Sequence, residues 1–142
     1  MAFIIKSPSE FTMEIEQWTR ETDADGAEMA KVIEKLLNND VYLKSETERQ
    51  EHTVLVTLTA SGWAGASAPF TQTVAVSGAR EGGEALLVSA LEPGSSEAVQ
   101  KAYTKAYGII SSGIGRLGDG TAIFQVYKKP ETSITVGLRG VM

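Results

Sequence analysis

The side chains that could carry out chemistry are few and are scattered along the chain. Its 142 residues include no cysteine and a single histidine, His52. Disulfides, thiolate nucleophiles and zinc sites built from several imidazoles are therefore excluded for this chain. His52 follows Glu51 at the edge of the first clear strand pattern, a position typical of an exposed or hydrogen-bonded histidine rather than of a base or a ligand.

Carboxylates are more numerous, but their spacing matches no catalytic or metal-binding motif. Asp119 could form an acid/base pair with Glu131 or Asp40, although no motif sets the distance between them, and its place between two glycines is typical of a turn. An acidic group near the first helix lacks the ligand spacing of a calcium loop and indicates solvated charges at a helix start. This group consists of Glu21, Asp23, Asp25 and Glu28. We therefore expect a non-enzymatic protein with no cofactor and no metal.

Two aromatic residues, Trp63 and Phe70, flank a turn rich in glycine and alanine. Flat rings can stack on the faces of sugars, and Tyr103 or Tyr107 could extend such a platform. Large aromatic residues beside a glycine-rich turn also commonly close the end of a hydrophobic core. The sequence favours the core for Trp63 and Phe70 and leaves a glycan-facing surface as the alternative.

The charge of the chain is unevenly distributed. The formal net charge is −5, of which residues 1–52 contribute −6 and residues 53–142 contribute +1. This balance disfavours nucleic acid as a partner, because phosphate binding needs a basic face. No apolar run reaches the roughly 20 residues that cross a bilayer, and the N-terminus has no apolar stretch of signal-peptide length. We expect no membrane insertion and synthesis in the cytoplasm.

Residues 1–52 are predicted to form an N-terminal attachment or oligomerisation segment. Phe11, Met13 and Ile15 alternate with polar residues, which indicates a short half-buried strand or an extended arm. An amphipathic helix is predicted at about residues 24–38, ended by Asn38-Asn39-Asp40, with residues 44–51 as a charged linker or solvated helix end. The side chains expected to make assembly contacts are Phe3, Phe11, Trp18, Met29, Val32, Ile33 and Leu36.

The same helix can also be interpreted as a short self-associating seam. The residues spaced alternately by three and four are Met29, Val32, Leu36, Asn39 and Leu43. A single asparagine in such a seam, here Asn39, can set the register and the number of helices. The alternative is a helix that packs its apolar stripe on its own domain or on a neighbouring protein.

Residues 53–142 change to the alternation typical of β-strands. Val54, Val56 and Leu58 share one face of the first strand, and a helix of about ten residues capped by Ser95 or Ser96 is predicted later in the chain. Further strand patterns lie around residues 74–76 and at residues 85–90, 107–116, 121–127 and 133–138, with a hairpin turn at residues 118–120. We expect a mainly β domain, sandwich-like and mostly antiparallel, with one inserted helix; the alternative is an α+β fold.

The stretch TLTASGWAGASAPFTQTVAVSG at residues 57–78 resembles a domain found in tail-, baseplate- and fibre-associated proteins of phages and prophages of Gram-positive bacteria. The shared pattern is an alternating strand, a Gly-Trp pair, Ser-Ala-Pro-aromatic-Thr-Gln-Thr-Val and Val-Ser-Gly, with Phe70 as the aromatic. Residues 129–132, KPET, lead into a final strand in a layout similar to that domain. The helix at residues 27–43 looks like the attachment segments that precede it. No catalytic residue comes with this pattern.

The resemblance implies a non-enzymatic structural protein of a phage or of a phage-tail-like particle. Its partners would be copies of itself, with a trimer favoured because tail parts follow particle symmetry, and neighbouring virion proteins. It would be located in the virion after assembly in the cytoplasm of the bacterial host. The alternative function is a carbohydrate-binding module that recognises a host cell-wall glycan at a particle tip through Trp63 and Phe70.

Overall fold

The computed structural model describes residues 4–5, 10–14 and 26–141. The chain divides into two compact units, which we call the N-terminal unit, Met1–Glu48, and the C-terminal unit, Arg49–Met142. The helices are α1 (Gly26–Glu51) and α2 (Glu97–Ser111), and the strands are β1 (Thr53–Leu58), β2 (Phe70–Ala75), β3 (Leu86–Ser89), β4 (Ile114–Gly118), β5 (Thr121–Val126) and β6 (Ile134–Arg139).

Helix α1 extends further than the sequence predicts. The predicted end at residues 38–40 is wrong, because Asn38 and Asn39 lie inside the helix and residues 44–51 form its last two turns. Asparagine ends helices when its amide binds nearby backbone in place of the helical bonds. Both amides here bind backbone groups from the start of the chain, and Asn38 also donates to the Glu34 carbonyl one turn earlier at 2.8 Å, so neither displaces the helical bonds. Residues 24 and 25, where the helix is predicted to begin, lie outside the described residues.

The predicted N-terminal strand is not found in the part of it that the structure describes. Residues 10–14 form neither a helix nor a strand. Phe11 and Met13 are exposed, whereas Thr12 between them is half-buried, so the apolar side chains do not point into a core. Ile15, the third apolar residue of the pattern, lies outside the described residues.

The C-terminal unit has the mainly β fold with an inserted helix that its alternation predicts. Two antiparallel sheets of three strands are ordered β1-β6-β3 and β2-β5-β4. The predicted hairpin turn joins β4 to β5, and Gly120 there has a φ of 68°, a conformation that residues with a Cβ rarely adopt. One hydrophobic core is shared by the two sheets and α2, and its most buried side chains are Leu58, Val76, Val126 and Val136.

Helix α2 forms the crossover from β3 to β4 and is longer than predicted. Ser96 caps it by accepting a hydrogen bond from the Val99 amide at 3.4 Å, as the sequence indicates. The predicted strand at residues 107–116 is wrong in its first part, since residues 107–111 belong to α2. Ala106 and Ile110, four residues apart on one helix face, are both buried in the core. This tertiary burial outweighs the strand preference of the local sequence.

Candidate assembly surface

One face of α1 is covered by residues from the start of the chain. Asn39 makes two hydrogen bonds to Thr12: its Oδ1 accepts from the Thr12 amide at 2.7 Å, and its Nδ2 donates to the Thr12 carbonyl at 2.9 Å. The neighbouring Asn38 donates to the Ile4 carbonyl at 3.0 Å. Asn39 therefore pairs with the Thr12 backbone as a neighbouring β-strand would, and both asparagine side chains are buried.

Aromatic packing continues the same covered face. The ring of Phe11 lies 5.7 Å from that of Tyr42, measured between centroids, at an angle of 50°. Phe11 nevertheless stays 48% exposed, so this contact covers only part of its surface. Among the residues that the structure describes, the covered face is thus held mainly by amide-to-backbone hydrogen bonds rather than by a hydrophobic core.

A second face of α1 leaves apolar side chains open to solvent. Their exposed fractions are 42% for Met29, 44% for Ile33, 48% for Leu36 and 53% for Leu43. Together with the exposed Asp40, these residues follow one another at alternating steps of four and three, the spacing of a coiled-coil seam. We call Met29, Ile33, Leu36, Asp40 and Leu43 the exposed stripe.

The exposed stripe differs from the predicted seam at two of its five positions. Asn39, which the sequence suggests as the residue that sets the register, is buried against Thr12 and does not belong to the exposed stripe. Val32 is half-buried, and Ile33 and Asp40 take the places predicted for Val32 and Asn39. Sequence reasoning missed this change because both sets have similar spacing, and only the packing of Thr12 separates them.

Two of the predicted assembly residues cannot be placed. Phe3 and Trp18 lie outside the described residues. The structure places the others: Phe11 packs on Tyr42, Val32 flanks the exposed stripe, and Met29, Ile33 and Leu36 belong to it.

The aromatic residues considered for glycan binding do not form an open platform. Trp63 is 5% exposed and belongs to the core of the C-terminal unit. Phe70 is half-buried, and Lys129 Nζ lies 4.8 Å from the centroid of its ring, a distance suited to a cation–π contact. The Phe70 ring therefore already has a partner within the chain.

Tyr103 and Tyr107 fasten α2 to the β1-β6-β3 sheet. Their rings stack at 5.8 Å. The Tyr103 hydroxyl accepts from the Ala90 amide and donates to the Thr135 carbonyl, both at 2.9 Å. In the register of β3 and β6, Ala90 would be the next partner of Thr135, so the hydroxyl stands where a direct backbone bond would continue the ladder. Tyr107 donates to the Leu87 carbonyl at 3.4 Å.

Three of the charged residues singled out as possible acids, bases or ligands, Asp119, Glu131 and Glu28, have structural partners. Asp119 Oδ1 accepts from the Glu81 amide at 3.0 Å, as expected for a turn residue. A hydrogen bond and ion pair from Lys105 hold the pKa of Glu131 below its usual value. Glu28 pairs with Lys31 at 2.6 Å. Glu21, Asp23 and Asp25 lie outside the described residues.

The C-terminal unit has an open cleft of about 400 Å³ where α2 ends. Its lining includes the apolar Ile110, Phe124 and Leu138 together with Ser111. His52 is not among the lining residues, so this cleft does not pair a serine with the histidine that would activate it. Within the described ranges, no three His, Cys, Asp or Glu side chains are grouped to hold a metal ion.

In the same part of the chain, neither helix combines the length and the apolar composition needed to cross a membrane. Comparisons with family models, curated proteins and solved structures found no significant match to this chain.

Proposed function

We propose that this chain is a non-enzymatic structural subunit of a phage or phage-tail-like particle and that it assembles with copies of itself through its N-terminal unit. In this proposal, the exposed stripe of α1 makes the contact between copies. The C-terminal unit forms the folded body of the subunit. Neighbouring virion proteins are the further partners.

The observation that carries the proposal is the exposed stripe. Four large apolar side chains lie in a row on one face of α1, each between 42% and 53% exposed. Single exposed apolar residues are common in soluble proteins, but a row at seam spacing is typical of a helix that packs on another helix. The opposite face of α1 is already occupied by Ile4 and Thr12. The stripe is thus the surface that self-association would cover.

The particle context of the proposal depends on the resemblance of residues 57–78 to phage tail, baseplate and fibre domains. The features of that pattern have structural roles in this chain: Trp63 fills the core, and Gln72 covers the backbone at Gly62, where an added Cβ would lie 1.7 Å from the Gln72 Nε2. This is compatible with a domain whose signature residues maintain the fold.

The glycan-binding alternative has less support. Of its two candidate aromatics, Trp63 is buried and Phe70 is already in contact with Lys129. A glycan platform needs an aromatic face open to solvent, so we do not propose this function for the pair.

Light scattering of the full chain tests self-assembly. We expect an oligomer for the unaltered protein and a shift to monomer for Leu36→Glu, because a charge would be placed at the centre of the contact. Ser45→Glu is the matched control: it adds the same charge to an exposed position of α1 outside the stripe and should leave the oligomer unchanged. A monomeric unaltered protein at high concentration would contradict the assembly proposal.

Particle membership needs a separate test. Particles purified from the organism that encodes this chain should contain it in constant proportion to other virion proteins, as measured by quantitative mass spectrometry. Absence of the chain from intact particles would contradict the particle role, even if the chain self-associates.

A further inference from the structure

We propose that the exposed stripe binds the same stripe of a second copy in the antiparallel orientation, with the two Leu36 side chains close to the two-fold axis. This inference rests on the proposed self-assembly and adds the orientation of the helices and the pairing of their residues. The charges of α1 and the position of Asp40 support this orientation.

The two halves of α1 differ in charge. Residues 26–39 carry two basic and two acidic side chains, whereas residues 40–51 carry two basic and four acidic ones. A parallel pair would place the two acidic halves side by side, and like charges at short range repel. An antiparallel pair centred on Leu36 places residues 40–46 of each copy, with one basic and two acidic side chains, against residues 26–32 of the other copy, with one of each. The charge distribution therefore favours the antiparallel pair.

Asp40, at the centre of the contact, also favours the antiparallel over the parallel orientation. It is the one ionisable residue of the exposed stripe and lies between Leu36 and Leu43. Parallel helices in register would bring the Asp40 carboxylates of all copies into one layer, where like charges at short range repel. A parallel trimer, which particle symmetry would suggest, would collect three of them.

The antiparallel arrangement separates these carboxylates. Asp40 lies four residues beyond Leu36, so two copies centred on Leu36 place their Asp40 residues eight residues apart along the pair. This is about 12 Å at 1.5 Å per residue. Each Asp40 then lies opposite the apolar region around Ile33 of the second copy, away from the other carboxylate.

The apolar residues at the two ends of the stripe fit the same symmetry. Met29 and Leu43 each lie seven residues from Leu36. Antiparallel pairing centred on Leu36 therefore places Met29 of one copy against Leu43 of the other at both ends of the contact.

Site-directed disulfide formation in the full chain tests the orientation. The chain contains no cysteine, so each introduced thiol is unique, and the substituted positions are exposed. Met29→Cys and Leu43→Cys proteins are oxidised separately and after mixing, and intact mass identifies each disulfide-linked dimer. Leu36→Cys reports contact in either orientation, and Ser45→Cys, on an exposed position outside the stripe, measures random collision.

The antiparallel proposal expects a mixed dimer of Met29→Cys with Leu43→Cys, well above the Ser45→Cys level. Neither protein alone should form a self-linked dimer above the Ser45→Cys level. The two introduced thiols of such a dimer would be about 21 Å apart, beyond the reach of a disulfide. Self-linking of Met29→Cys and of Leu43→Cys would overturn the orientation and leave self-assembly intact. No linking of Leu36→Cys, with a monomeric mass for the unaltered protein, would overturn both.

Discussion

The two units of this chain use their apolar and polar residues in opposite ways. In the C-terminal unit, the core consists of apolar side chains from both sheets and α2, including Trp63 and Val136. In the described part of the N-terminal unit, the buried side chains are Asn38 and Asn39, whereas Met29, Ile33 and Leu36 are exposed.

This difference shows what each unit needs in order to be stable. Burial of apolar area is the main driving force of folding, and the C-terminal unit supplies it internally. The described part of the N-terminal unit leaves the apolar exposed stripe open to solvent, and its buried side chains make hydrogen bonds, whose net contribution is only about 1 kcal/mol each. A partner that covers the exposed stripe would bury this apolar area and so add to the stability of the N-terminal unit. We therefore expect the stability of the N-terminal unit, but not that of the C-terminal unit, to depend on assembly.

The largest effect is expected for the core of the C-terminal unit. Trp63→Ala should lower its free energy of unfolding by about 3–5 kcal/mol, because it removes a buried aromatic side chain and leaves a cavity. Urea denaturation followed by circular dichroism measures this change. Leu55→Ala is the control: Leu55 is 64% exposed, and its truncation should change the stability by about 0.5 kcal/mol or less. Equal effects of the two substitutions would contradict the conclusion that a buried apolar core holds the C-terminal unit together.

A smaller and local effect is expected for Asn39→Leu in the N-terminal unit. The substitution removes both hydrogen bonds to Thr12 and leaves two half-buried backbone groups unpaired, at a cost of about 1–3 kcal/mol. Hydrogen exchange of the Thr12 amide should accelerate by about tenfold or more, while the unfolding of the C-terminal unit stays unchanged.

Two further variants sharpen this measurement. Asn39→Asp keeps the acceptor for the Thr12 amide but places a carboxylate oxygen, which cannot donate, against the Thr12 carbonyl, so it should also loosen the Thr12 segment. Gln50→Leu makes a similar polar-to-apolar change at an exposed position of α1 and should not affect Thr12. Unchanged exchange at Thr12 in Asn39→Leu would mean that these hydrogen bonds do not hold the segment.

The smallest effect concerns the ion pair between Lys105 and Glu131, 2.8 Å apart on the surface of the C-terminal unit. The hydrogen bond from Lys105 is the main reason for the lowered pKa of Glu131, and the charge of Lys128 adds to it. A lowered carboxyl pKa stabilises the folded state at neutral pH. This contribution is lost as the pH falls below the usual value of 4.5 through the lowered one.

Lys105→Met should raise the pKa of Glu131 toward its usual value, as measured by NMR titration of its carboxyl carbon. The melting temperature at neutral pH should hardly change, because exposed ion pairs contribute little. Lys101→Met, which removes the partner of Glu97 instead, should leave the Glu131 titration unaltered. A titration of Glu131 that Lys105→Met does not change would show that the pair is not formed in solution.

Local sequence patterns account for much of the C-terminal unit. The alternation around Val54, Val56 and Leu58 predicts β1 and its buried face, and the glycines beside Asp119 predict the turn between β4 and β5. Ser96 predicts the start of α2 but not its end. The last turn of α2 contains Tyr107 and Ile110, whose strand-favouring types are outweighed by burial against the two sheets.

The candidate site could be predicted only in part. The sequence correctly places an amphipathic helix in the first part of the chain, but two adjacent asparagines predict its end too early. Only the long-range pairing of Asn39 with Thr12, 27 residues away, explains why the helix continues.

The sequence by itself therefore determined the strand alternation, the turn residues and the helical periodicity, because these depend on neighbours a few residues apart. Tertiary structure decided which polar groups are satisfied and which apolar side chains stay open. It buried Asn38 and Asn39 by pairing them with backbone from the start of the chain and left Leu36 exposed. Such outcomes depend on contacts between distant segments, which the spacing of residues along one helix or strand does not contain.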